Sequence, residues 1–338
     1  MPHRSVFVSG ASGFIGEEVA FGFRRAGYHV FGLVRTQEKA DKLAFNEITP
    51  VLGDLMKPET YADVLKQCKI VIHCAVDYAR SFLKVTSTLS FVSIVPSNFE
   101  AFDKHCVSTF LAILTASSSP TDPAVLVYTS GLLNYKGMNS PADAPIEEDN
   151  WPLEEGHALF NPRVVSERNV LQAYQKTNGK VAGVTVRPSY VYGRKSGHFY
   201  PYFEQAVDKG EVVVLGRPDI IWSEVHIDDL VDGYLHIAAA KTAAIGGQAF
   251  NFADSSRNTN LEIATAFARA AGYTGEIRTQ AIKPDDIFEI VTQKTVICSG
   301  KKAEEVLGWK PRKKPMIEEV DVMWRRWQAA RKLSLVKK

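Results

Sequence analysis

Within FNPRVVSERNVLQAY, Phe160 to Tyr174, an apolar stripe of Val164, Val165, Leu171 and Tyr174 predicts a helix, and Arg163 and Glu167 stand one turn apart on it. Such a pair has two uses. On a solvated face it is an ion pair contributing about 0.3 to 0.5 kcal/mol. Facing a dry site, Arg163 is a fixed positive charge for a carbonyl or enolate oxygen, and Glu167 is an acceptor for hydroxyl groups. Arginine keeps its proton until pH rises above about 12, so Arg163 is a poor proton shuttle. Other groups able to give a proton are His157 ahead of the helix, Tyr190 and Tyr192 after a later apolar run, and His198 and Tyr200 beyond them. Spacing selects none of these.

A second chemistry-bearing stretch is VFVSGASGFIGEEVA, in which Gly10, Gly13 and Gly16 lie between a strand and a helix. Glycines there permit a tight turn and let a pyrophosphate approach the helix N-terminus, so this loop, with Ser12, Phe14 and Ile15, is expected to bind a dinucleotide. In that arrangement an acidic residue about 20 positions further on accepts from the ribose hydroxyls of NAD. Here the second strand ends in GLVRT, with Arg35 and no acid at its tip. A guanidinium grips a 2′-phosphate bidentately, which favours NADP(H) over NAD(H). Asp54 and Leu55, in VLGDL, follow the third strand, where the carboxylate could accept from the adenine amino group or serve a turn.

The elements that must position these groups alternate. SVFVSG, HVFGLV, ITPVLG, KIVIHC, AVLVYTS and VAGVTVRP are short apolar runs rich in β-branched residues, separated by segments of helical periodicity. The expected class is α/β, a Rossmann-type doubly wound parallel sheet with a smaller, mostly C-terminal α+β substrate lobe. The dinucleotide-binding domain is expected over 1–188, with 222–255 returning to it, and the substrate lobe over 189–221 and 256–338.

At 338 residues, with 45% apolar and 23% charged residues, the composition is that of an ordinary globular chain, and a net charge of +2 gives no electrostatic case for nucleic acid. Cys68, Cys74, Cys106 and Cys298 form no CxxC and no Cys/His pairing at metal spacing, so no metal site is expected and a reduced, cytoplasmic setting fits. The N-terminus enters a strand almost at once, leaving no room for a signal peptide. No apolar run reaches the roughly 18 residues of a membrane span. MWRRWQAARKLSLVKK reads as a basic helix covering the end of a domain, with an amphipathic membrane-surface helix as the alternative. The long segment from Asp77 to Phe99 suggests a lid or wall for an apolar substrate, which core packing would explain equally.

Five motifs carry a likeness that spans nearly the whole chain: VSGASGFIG, GDL at Gly53, VYTSG around Tyr128, RPSYVYG at Arg187 and EVHIDDLVDGY at Glu224. With the ending LGWKP at Leu307, they make the chain resemble the extended short-chain dehydrogenases/reductases, the NAD-dependent epimerase/dehydratase and dihydroflavonol-reductase-like group. The resemblance implies that Cys74 and Ala75 lie against the cofactor and that Pro188 and Ser189 border the nicotinamide carboxamide. It places Ser130 beside the nicotinamide with its hydroxyl on a substrate carbonyl, and a second lobe closing over a small-molecule substrate. Homodimers formed by pairing two helices per subunit are common in the family, and the stripe on Phe160–Tyr174 is compatible with that.

Family members usually carry Tyr-x-x-x-Lys in this helix, commonly as YxxSKxxxE. Matching Ser166 to that serine puts Arg163 at the tyrosine and Glu167 at the lysine position, so the standard acid/base pair is missing. Ser130, Arg163, Glu167 and Tyr190 remain as the catalytic candidates. Three functions are compatible: an NADP(H)-dependent oxidoreductase of a small, apolar carbonyl compound; a non-redox isomerase, cyclase or lyase whose cofactor is structural; and a non-catalytic dinucleotide sensor.

Overall fold

The structure, a computed structural model, describes residues 5–75, 97–135, 144–150, 161–195, 199–283 and 293–333. His157, His198 and residues 77–96 of the long connection lie outside them.

Eleven strands are found among the described residues. They are β1 (Ser5–Ser9), β2 (His29–Val34), β3 (Thr49–Leu52), β4 (Ile70–His73), β5 (Ala124–Thr129), β6 (Val181–Pro188), β7 (Tyr190–Tyr192), β8 (Val212–Leu215), β9 (Glu224–His226), β10 (Gln248–Phe252) and β11 (Ile277–Gln280). Seven of them form one sheet in the order β10-β6-β5-β4-β1-β2-β3, and every pairing in it is parallel. Each residue of β5 and β6 is buried, which is why these strands read as continuous apolar runs.

The helices used below are α1 (Phe14–Arg25), α2 (Gln37–Phe45), α3 (Ser97–Ser117), α4 (Asn161–Leu171), α5 (Ile227–Ala239), α6 (Asn260–Ala270) and α7 (Met316–Lys332). On one face of the sheet α1 and α5 supply Val19, Phe23, Leu230 and Tyr234 to a core with Val6, Val8 and Ile72. On the other, α3 and α4 supply Phe110, Leu114 and Val170 against Phe7, Val71 and Leu126. The fold is thus a Rossmann-type doubly wound α/β sheet. The chain reverses direction across the sheet between β1 and β4, the position at which such sheets open a crevice for ligands.

The C-terminal elements make a smaller lobe. There β7 pairs with β9 and β8 with β11. Phe203, Phe267 and Trp327 form its core with Met316, Val320 and Met323 of α7. The Trp-rich C-terminal helix therefore spends its apolar face on this lobe. No helix among the described residues is long and apolar enough to cross a membrane.

The helix expected over Phe160–Tyr174 is present but interrupted. It runs as α4 to Leu171, and a separate turn of helix follows at Ala173–Lys176. The buried face also differs from the expected stripe. Val164, Ser166, Glu167, Val170 and Ala173 are buried, whereas Val165, Leu171 and Tyr174 are half-exposed. The face is rotated because it carries a charge inward, to a partner on β6.

Candidate active site

The C-terminal tips of β1, β4, β5 and β6 lie side by side, and the turn after β1 is shaped by close backbone approach. Gly10 has φ +74°, and a Cβ there would stand 2.7 Å from the Ala75 nitrogen. A Cβ on Gly16 would collide with the Gly10 carbonyl oxygen, so Gly16 lets α1 seat on the turn. Gly13 is different. Its N–H donates to the Gly10 carbonyl at 2.8 Å, and a Cβ on it would meet one atom, that carbonyl oxygen, at 3.3 Å. Internal packing therefore forbids side chains at Gly10 and Gly16 but only crowds one at Gly13, which is exposed at the N-cap of α1. No side chain caps this end of α1, and the first-turn N–H groups of Phe14 and Ile15 have no intrahelical acceptor.

Around the tip of β5 the polar groups are linked. The Ser130 backbone N–H donates to Val186 at 2.8 Å, which fixes the residue between β5 and β6. Its hydroxyl accepts from the Asn134 amide at 2.8 Å, and the same amide donates to Glu167 Oε2 at 3.2 Å. Glu167 Oε1 takes the Arg187 Nε–H at 2.6 Å, and both side chains are essentially fully buried. Arg187 also donates to the Tyr135 hydroxyl at 2.8 Å and to the Glu148 carbonyl at 3.3 Å, while Tyr135 donates to Asn251 at 2.5 Å. The solvated ion pair offered as one reading of Glu167 is thus ruled out: the carboxylate is a core group whose counter-charge sits on a strand.

Arg163 is half-buried, and its guanidinium donates to the Thr129 carbonyl at 2.7 Å, next to Ser130. Its field reaches the neighbouring tips. His73 is pushed down to about 3, first by burial and then by the Arg163 charge. Burial raises Asp103 on α3, and Arg163 opposes that rise, while Asp103 accepts from the Tyr128 hydroxyl at 2.8 Å. Cys74 lies 3.2 Å from the Thr129 hydroxyl, which is 2.7 Å from that of Tyr234, and burial lifts the thiol to about 11. The arrangement offers a hydroxyl and a permanent cation, together at the end of one strand, for an oxygen that gains negative charge.

Residues 7–276 match the sequence model of the 3-beta hydroxysteroid dehydrogenase/isomerase family, within the extended short-chain dehydrogenases/reductases. The chain belongs to that family. It is 24% identical over 199 residues to the decarboxylating sterol-4-alpha-carboxylate 3-dehydrogenase of Dictyostelium discoideum, covering 57% of this chain and 55% of that one. It is 25% identical to the ketoreductase sphI of Aspergillus fumigatus, over 97% of this chain and 95% of its relative. Its fold is similar to UDP-glucuronic acid 4-epimerase of Bacillus cereus, solved with UDP-glucuronic acid and NAD. The TM-score is 0.75 at 15% identity, covering 96% of this chain and 99% of the epimerase.

The remaining expected site residues of this hydroxysteroid dehydrogenase/isomerase family member sit as follows. Arg35 is exposed just beyond β2, and Asp54 lies in the turn after β3, where its carboxylate accepts from the Met56 N–H at 2.9 Å. That is turn chemistry. Leu55 is buried beneath it. Pro188 ends β6, and Ser189 is tied to β10 through Phe252 at 2.9 Å; its buried hydroxyl has no hydrogen-bond partner among the described residues. Tyr190 is half-buried with its ring 4.7 Å from that of Phe199. Tyr192 and Tyr200 are unsuited to proton transfer. Tyr192 donates to the Lys314 carbonyl and burial pushes its hydroxyl far up, while the Tyr200 hydroxyl lies between the Arg194 carbonyl and Arg326.

Asn134, Tyr135, Asp103, Glu148 and Asn251 are the members of the network that sequence reasoning did not single out. One sign was available. Arg187 stands at the end of an otherwise apolar strand, and a buried guanidinium requires a buried carboxylate.

Proposed function

We propose that this protein is an NADP(H)-dependent oxidoreductase acting on a small, apolar, carbonyl-containing molecule. The observation that carries the reading is the placement, along one edge of the sheet, of a glycine turn after β1 and of the Ser130 hydroxyl and the Arg163 guanidinium at the tip of β5, with β4 between them. The dinucleotide, when bound, supplies the hydride. Gly10, Ser12, Gly13, Phe14, Ile15 and Gly16 would floor its pyrophosphate, Cys74 and Ala75 would line its nicotinamide half, and the unpartnered Ser189 hydroxyl suits an amide. Ser130 and Arg163 hold the carbonyl oxygen as its charge grows. The product's proton comes from Tyr190 or water, since an arginine does not release one near neutrality.

The glutamate closing YxxSKxxxE lies four residues after the lysine, and a carboxylate buried against a strand arginine suits that closing position better than the lysine's. Read this way, Arg163 takes the lysine position and Leu159, outside the described residues, takes the tyrosine position. The lysine's charge is kept and the tyrosine's hydroxyl is not. That loss favours one second reading, a non-redox isomerase or lyase on the same scaffold. Substrate-dependent loss of NADPH absorbance supports the oxidoreductase, whereas product formed with no absorbance change supports the alternative.

Two binding predictions follow from the strand tips. NADP(H) should bind more tightly than NAD(H) by about 1.5 to 3 kcal/mol, the range for hydrogen bonds to charged groups, and Arg35→Asp should erase or invert the difference. Equal affinities in calorimetry on the unaltered protein would remove the assignment. Gly13→Val should abolish dinucleotide binding while leaving the circular dichroism spectrum and unfolding midpoint close to those of the parent, because only one carbonyl oxygen crowds the added side chain. Retained affinity in that variant would move the site elsewhere.

A further inference from the structure

We infer that Asn134 and Glu167 are positioning residues that hold the Ser130 hydroxyl as a one-way hydrogen-bond donor, so that the site accepts an oxygen with a lone pair to offer. The inference rests on the oxidoreductase reading for its chemistry, but its hydrogen-bond logic stands on the geometry alone.

Asn134 ends the single turn Leu132–Asn134 that follows β5, and its side chain is buried. Its amide touches two oxygens, Ser130 Oγ at 2.8 Å and Glu167 Oε2 at 3.2 Å. Glu167 is the carboxylate of the buried pair with Arg187, so it can only accept. If the amide were turned over, its carbonyl oxygen would face that carboxylate, two acceptors in contact in a dry interior. The nitrogen must therefore face Glu167. An amide nitrogen has two hydrogens, and the second goes to Ser130. One lone pair of Ser130 Oγ is thereby committed, and the hydroxyl hydrogen is excluded from the Asn134 direction.

A serine hydroxyl ordinarily rotates to suit its neighbours. Here a salt bridge two residues removed sets its sense. The hydrogen is left for an acceptor at the tip of β5, where a substrate carbonyl oxygen would lie. An alcohol in the same place would need an acceptor for its own hydrogen, and neither Ser130 so held nor the Arg163 guanidinium provides one. The site is consequently biased towards binding the carbonyl partner of a carbonyl/alcohol couple.

Neutron diffraction on deuterium-exchanged crystals of the full chain tests the geometry without a substrate. Two deuterons are expected on the Asn134 nitrogen, one toward Ser130 and one toward Glu167, with the Ser130 deuteron directed at neither. A Ser130 deuteron on the line to Asn134 would overturn the inference. A kinetic arm uses NADPH oxidation with ethyl 2-methylacetoacetate as probe. Asn134→Asp presents an acceptor to Ser130 and turns its hydrogen inward, so kcat should fall about a hundredfold, the effect of losing one oxyanion donor, with KM for NADPH unchanged. The introduced carboxyl keeps its proton on the oxygen that faces Glu167, because two buried carboxylates in contact do not both ionise, and its other oxygen accepts from Ser130. Asn134→Val removes the amide without offering an acceptor, leaving a smaller loss. Equal losses in both variants, tracking their melting temperatures, would show a merely structural role. If the unaltered protein oxidises no NADPH with the probe, reduction of this class of carbonyl fails as a reading, and the deuteron positions still decide the inference.

Discussion

Glu167→Ala is expected to destabilise the fold by about 3 to 5 kcal/mol, the cost of leaving one member of a buried ion pair uncompensated. Arg187 would then lose the carboxylate that takes its Nε–H at 2.6 Å while keeping its bonds to the Tyr135 hydroxyl and the Glu148 carbonyl, and Asn134 would lose one of its two acceptors. A solvated i,i+4 pair predicts a loss near zero instead, so urea unfolding separates the two pictures by a wide margin. The double change Glu167→Leu, Arg187→Met should recover much of the loss, because apolar groups of similar volume replace the pair without stranding a charge. If the single variant unfolded at the parent's denaturant midpoint, the buried pair would not be the structural tie described here.

Arg163→Ala is expected to lower kcat by roughly two to three orders of magnitude, the range found on removing one fixed oxyanion donor from a dry site. The loss should fall on turnover rather than on stability. The change removes the bond to the Thr129 carbonyl, while Asp103 keeps its bond from Tyr128. Arg163→Lys should retain a substantial share of the activity, since it keeps the charge while losing the planar fork. An alanine variant with the parent's kcat on a competent carbonyl substrate would take Arg163 out of the chemistry and leave the Ser130 hydroxyl as the principal group at the oxygen.

These residues also show which kinds of information a sequence holds. The strands were legible because parallel strands buried on both faces are continuous apolar runs, and the glycine turn because its spacing answers to backbone contacts within a few residues. The position of α4 relative to the site was not. Matching it by Ser166 relied on a small, common residue, whereas the group that fixes the helix is Glu167, whose partner lies 20 residues away on β6. Asn134 left no signal at all, because a lone asparagine in a loop looks the same whether it faces water or a serine. What local spacing cannot report is the pairing of single polar groups across elements, and this site is built from such pairings.

The seven-stranded sheet has one further consequence, which lies in the order of synthesis. Strand β10 covers the outer edge of β6 by parallel pairing from Gln248↔Val184 to Phe252↔Pro188, yet it follows β6 in the chain by some sixty residues. Until those residues have left the ribosome, a strand buried along its whole length, VAGVTVRP, presents its unpaired backbone at the margin of a nascent sheet. The seven-stranded sheet is therefore not finished when its last contiguous strand is made. The intervening segment, including β7 and β9, is threaded before the edge is sealed, so the second lobe is drawn into folding of the first rather than added to a completed unit.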